Sequence, residues 1–318
     1  MNLSFKTLPK APSSAFITTL AFSWDDLTLV KLTALLNWFK NFSEDENNWN
    51  QFGIFKLNHV ANKEIHLIIQ TAVSDDEAST KQNVERIEKQ SAELKSICTH
   101  RIATRPILGH AGYFNPDPLK NTIKYTMYEA AQTLNSSGAN QRGKYKSAYM
   151  RKEFSQDNIE VIIKQLHEVP TDLKLEDMAQ SLLQVDSYGG KINTIDSSET
   201  PIPQRDSIFK LQYQTYWTND KKDDAYLSWI RGFYSEIYKK SGGTPNPKLD
   251  STDTVDGCYF NYPDSDLNEI VGKEGALELY FLENLDRLKK VKRQWDPNNY
   301  FNSAQSIPVE FDLKSKKG

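Results

Sequence analysis

What this chain of 318 residues has little of narrows its chemistry first. It holds two cysteines, Cys98 and Cys258, far apart and without CxxC spacing, which excludes a zinc knuckle or a disulfide scaffold and leaves room for one disulfide at most. Its five histidines show no HxxxH or HxH spacing, so no metal site is expected. There is no GxGxxG, no Walker loop and no Ser-His-Asp context. Neither sign of charge dominates: 39 Lys+Arg stand against 42 Asp+Glu, so no global field steers the chain to nucleic acid or an anionic membrane. Long apolar runs are missing too. The most apolar early segment, LTLVKLTALLNWF, is interrupted by Lys31, and the opening MNLSFKTLPK has no apolar signal core. The expectation is a cytoplasmic location if this is the complete chain, with a small molecule or a protein as partner.

Aromatic residues, at 11%, supply ample core material despite the richness in lysine and asparagine. Apolar periodicity predicts strands at 4–8 and 17–24 and a helix over 26–42 capped by Asp25 or Asp26. A hairpin is expected from 52–60 and 64–72, and a polar helix over 80–96. Beyond these come a strand at 102–108, helices at 119–134 and 156–167, an extended run at 144–150, and strands at 181–187 and 207–217. A helix at 223–240, a short strand at 258–262 and a last helix at 276–294 complete the pattern. Hairpins interleaved with helices point to the α+β class, an antiparallel sheet with helices packed on one face.

The last helix runs into VKRQWDPNNYFNSAQSIP, where Asp296-Pro297 stops it and Tyr300 and Phe301 are laid on a neighbouring surface. This ending resembles that of the berberine-bridge-enzyme-like FAD-linked oxidases. Four further stretches resemble family segments in the same order: KYKSAYM at 144–150, DSYGGKINTIDSSETPIPQR at 186–205, FKLQYQTYW at 209–217, and CYFNYPDSDL at 258–267. The family's flavin-binding half, with its Arg-Gly-Gly-His and cysteine tethers, has no counterpart here; GHAGYF at 109–114 is only a superficial echo.

The resemblance implies a substrate-binding α+β domain over 1–274 and a C-terminal helix and tail over 275–318. It also implies a flavin oxidoreductase that takes hydride from an alcohol, sugar or secondary-metabolite hydroxyl, with oxygen as acceptor. The cofactor would be FAD, bound with a flavin domain supplied in trans or by a longer chain. Tyr262 would be the base and Lys210 its activator, Gln212, Gln214 and Tyr259 substrate contacts, and Asn261 a cofactor contact. Lys210 and Gln212 alternate onto one face of their strand. Taken alone, the same residues read as ordinary packing tyrosines and an edge lysine, Arg205 as a loop anchor, and Gly189-Gly190 as a strand bend. The competing expectation is a catalytically silent domain that binds a ligand or a protein through the apolar face left by the missing half.

Overall fold

The computed structural model describes residues 10–74, 76–103, 122–134 and 141–309. Its frame is one antiparallel sheet of eight strands: β1 (Ser14–Ser23), β2 (Gln51–Asn58), β3 (Glu64–Val73), β4 (Arg101–Ile102), β5 (Thr122–Thr126), β6 (Arg142–Met150), β7 (Ser181–Ser187) and β8 (Phe209–Trp217). Across the sheet the order is β4-β1-β3-β2-β7-β8-β6, and β5 pairs with β1 along the same edge as β4. The helices are α1 (Leu29–Glu44), α2 (Glu77–Ile97), α3 (Met127–Leu134), α4 (Gln156–His167), α5 (Asp223–Ile237), α6 (Asp266–Phe281) and α7 (Leu285–Trp295).

Strand alternation sorts the sheet into two faces. One carries Leu20, Phe55, Leu67, Leu183 and Leu211, which form the main core with the apolar stripes of α1, α4 and α5. Phe39 of α1 lies at its centre, stacked on Phe42 and Phe209 at 5.7 Å each and edge-on to Phe55 at 5.6 Å. The expected α+β class with helices over one face is what the fold shows, and among the described helices the short α3 packs on the other face, where Ala130 meets Ala15, Ile17 and Ile68. Beyond the β6 edge, α6 and α7 build a separate small core around Tyr280 and Phe281.

Several elements differ from expectation for physical reasons. Thr28, not Asp25 or Asp26, caps α1, because the two aspartates belong to a short 3-10 turn. Of the expected helix at 119–134, residues 119–121 lie outside the described residues and 122–126 form β5, since β-branched Thr122 and Ile123 pair with the edge of β1. The expected strand at 258–262 is a turn, closed by the Tyr262 N–H on the Tyr259 carbonyl at 3.0 Å. The last helix divides at Leu282, whose φ of 43° ends α6 before α7 begins. Cys98 and Cys258 are both buried and free. The expected strand at 4–8, the segment 109–114 and most of the run 102–108 lie outside the described residues. Among those described, no helix is long and apolar enough to cross a membrane.

Phe39→Ala leaves the three ring contacts empty. The expected loss is about 3–5 kcal/mol of folding stability, read as a lower urea midpoint at unchanged slope.

Candidate active site

On the face opposite the main core, alternate residues of four strands are polar. Register aligns Tyr149 of β6, Lys210 of β8 and Asp186 of β7 in one row, and Ser147, Gln212, Gln184 and Lys56 in the next. A third row sets Tyr145 beside Gln214. The Lys210 ammonium meets the Asp186 carboxylate at 3.0 Å. Asp186 also accepts from the Gln184 amide at 2.8 Å, and the Gln214 amide donates to Gln184 at 3.3 Å and to Gln212 at 2.8 Å. The glutamines therefore form a chain of amides that ends on the lysine's counter-ion.

The second half of the site comes from the turn 258–262. Gly257 makes the entry: at φ +79° it sits so close to the Leu279 carbonyl that an added Cβ would lie 2.2 Å from that oxygen. Tyr259 and Tyr262 then meet edge-to-face at 4.8 Å, and the Lys210 ammonium lies 5.0 Å and 5.5 Å from their ring centres. Cation–π attraction of this kind strengthens as the charge is desolvated. Tyr145 packs against Tyr262 and Tyr149 against Tyr259.

The electrostatics follow from that packing. Burial pushes the Tyr262 phenol above its ordinary value, and the Lys210 charge and hydrogen bond pull it back in part. For Lys210, burial favours the neutral amine, but Asp186 foremost, then Tyr262, outweigh it and raise the ammonium's pKa. Lys56, deeper on the same face, is pushed down to about 7 by burial, with Asp186 opposing the shift.

The structure thus brings together Tyr262, Lys210, Gln212, Gln214 and Tyr259. Asn261 adjoins this group through Tyr259, to whose hydroxyl its amide donates at 2.9 Å. Arg205 reaches the Thr200 hydroxyl and the Ile192 carbonyl and anchors a loop. Asp186, Gln184, Ser147 and Tyr145 were missed by sequence reasoning. Period-two alternation along KYKSAYM and SLLQVDS marks them, once the neighbouring strands are known.

The chain carries, over residues 258–308, the family region described as "Berberine and berberine like". It is 43% identical to the hexose oxidase of Chondrus crispus, over 98% of this chain and 60% of that protein. The chain is related to the berberine-bridge-enzyme-like oxidases. To the aclacinomycin-N/aclacinomycin-A oxidase of Streptomyces galilaeus it is 28% identical, over 94% of this chain and 51% of that protein. Among solved structures, a flavoenzyme of shunt product recycling in caerulomycin biosynthesis superposes with a TM-score of 0.76 at 25% identity, over 95% of this chain and 57% of that one. A glycopeptide hexose oxidase complexed with teicoplanin superposes at 0.73 and 25% identity, over 95% and 56%. The chain therefore spans between half and three-fifths of these relatives.

Asp186→Asn tests the electrostatic frame. Because Lys210 is raised in the fold, the pair's stabilisation is fully present below the unfolded lysine value and is lost as pH rises through the raised one. The variant is expected to lower the Lys210 pKa, followed by NMR of labelled lysine, and to be destabilised at neutral pH with the deficit closing at high pH. An unmoved Lys210 titration would contradict the pairing.

Proposed function

We propose that this chain supplies the proton-abstracting and substrate-binding side of an FAD-dependent oxidoreductase that dehydrogenates a hydroxyl compound, with Tyr262 as base. The observation that carries the reading is the Lys210 ammonium set against the rings of Tyr259 and Tyr262 with Asp186 behind it. Oxidation of an alcohol carbon requires the hydroxyl proton to be taken as hydride departs. A phenol with an ordinary pKa near ~10 is protonated at neutral pH, and an adjacent cation favours the phenolate. Lys210 supplies that cation without leaving its own counter-ion. Tyr262 takes the hydroxyl proton, and Gln212 and Gln214 orient the substrate's remaining polar groups through the amide chain.

The fit to FAD is one-sided. The phenol and ammonium suit the proton half of the reaction, whereas Gly189-Gly190 does not form a phosphate cradle: Gly190 lies beneath Trp49, and an added Cβ would stand 2.9 Å from the indole. Bound FAD would supply the hydride acceptor. Asn261, beside Tyr259, is the described residue proposed to face it, with the adenine and pyrophosphate held by a flavin-binding portion such as the relatives' remaining length would provide. Oxygen is the proposed final acceptor. The names of the hexose oxidase and the aclacinomycin oxidase favour a sugar or a glycosylated metabolite as substrate, and the glutamine-rich face suits a ligand rich in hydroxyls.

A second reading has its own observation. Trp295, Tyr300 and Phe301 are 78%, 81% and 75% exposed at the C-terminal ending, so the surface expected to cover them is not provided by the described residues. An apolar patch of this kind marks a docking face, which is compatible with a flavin-binding portion or with a silent binding domain.

In the flavin-loaded protein, Tyr262→Phe is expected to lower turnover of a hexose about 100- to 10,000-fold while the visible flavin bands persist. Unchanged turnover would remove Tyr262 from the mechanism and favour the second reading.

A further inference from the structure

The turn that carries Tyr259 and Tyr262 wraps around the edge strand β6 and is gripped from both of its faces. On the site face, the Ser147 hydroxyl accepts the Tyr259 N–H at 3.0 Å. On the opposite face, Asp264 and Asp266 meet the neighbouring alternation of the same strand. The Asp264 carboxylate takes the Lys144 ammonium at 2.7 Å and the Lys146 ammonium at 2.6 Å, one on each oxygen. Asp266 takes the same two lysines at 3.1 and 2.8 Å, and Arg231 of α5 at 2.8 Å.

Asp264 is 2% exposed, and its main chain is held as firmly as its carboxylate. Its N–H donates to the Tyr280 hydroxyl of α6 at 2.9 Å, and its carbonyl accepts the Gln305 side-chain amide at 2.7 Å. Three separate elements, β6, α6 and the C-terminal tail, thus converge on one residue two positions beyond Tyr262. A buried ion pair contributes little net stability relative to apolar residues of the same volume. What such a fully satisfied network does provide is one fixed geometry.

We infer that Asp264 is a positioning residue for Tyr262: held by Lys144, Lys146, Tyr280 and Gln305, it sets how closely the Tyr262 ring approaches Lys210. The C-terminal ending is thereby coupled to the site through Gln305. The inference rests on the proposed role of Tyr262 as base, since its placement matters to chemistry only through that phenol.

The test uses this chain with 3-fluorotyrosine incorporated, the Tyr262 fluorine signal being identified by its loss in Tyr262→Phe. In Gln305→Ala the signal is expected to shift toward that of an exposed tyrosine. Its titration midpoint should fall toward the ordinary value as burial is relieved, while the urea midpoint stays close to wild type. Ser306→Ala, which alters the same tail without touching Asp264, should leave both features in place. The pair of changes Lys146→Met with Asp264→Asn removes both charges together, so no ion is left buried alone, and should give the larger shift; Lys146→Arg should restore most of the wild-type signal. A folded Gln305→Ala chain whose Tyr262 signal and midpoint are unmoved overturns the inference, whatever the paired variant does. The fluorine readout is independent of turnover, so failure of Tyr262 as base would appear only in the Tyr262→Phe kinetics.

Discussion

A lysine ammonium withdrawn from water requires a counter-charge, and the site is arranged around how Lys210 obtains one. Asp186 lies directly across the β7–β8 pair at 3.0 Å, and the faces of two tyrosines close over the other side. Each partner has a separate consequence. The carboxylate keeps the lysine charged despite burial, and the charge then offsets part of the burial that raises the Tyr262 phenol. Without Asp186 the lysine would move toward the neutral amine, as Lys56 does on the same face, where burial takes it down to about 7. Two lysines within one sheet face are thus set apart by how deeply each is buried and by how strongly Asp186 opposes that burial.

Backbone topology delivers these groups from distant parts of the sequence. Lys210 and Asp186 are brought opposite by strand register, whereas Tyr262 arrives on a turn with no strand geometry of its own, so its position depends on side chains. This explains why the turn is tied to β6 by paired lysines and to the tail by Gln305. The C-terminal ending has two parts: Gln305 faces inward onto the tyrosine turn, and Trp295, Tyr300 and Phe301 face outward. On the proposed reading the inward part steadies the site, and the outward part is the surface a covering portion would meet.

How much was legible in the sequence divides along the same line. Hairpins, helical stripes and the antiparallel class were readable because apolar alternation and 3.6-residue periodicity are local properties. Lys210, Gln212 and Gln214 were found because alternation within one strand is local too. Asp186 was not, since only the β7–β8 register places it against Lys210. The segment 258–262 read as a strand because Tyr and Phe favour β structure, yet its aromatics pack on one another and on Lys210, and the backbone pairing of 254–257 with β6 stops at Gly257, where the chain turns. Helix 119–134 failed similarly: the edge of β1 captured Thr122–Thr126, a tertiary pairing that overrides local preference.

The central claim is that Lys210 tunes a phenol that removes the substrate's hydroxyl proton. The pH dependence of kcat/KM for a hexose, compared between the flavin-loaded protein and its Lys210→Met variant, tests it most directly. The account predicts an activity that rises with pH as Tyr262 ionises, and a rising limb displaced to higher pH when the lysine charge is gone. A limb that stays in place in the variant would show that Lys210 does not govern the base.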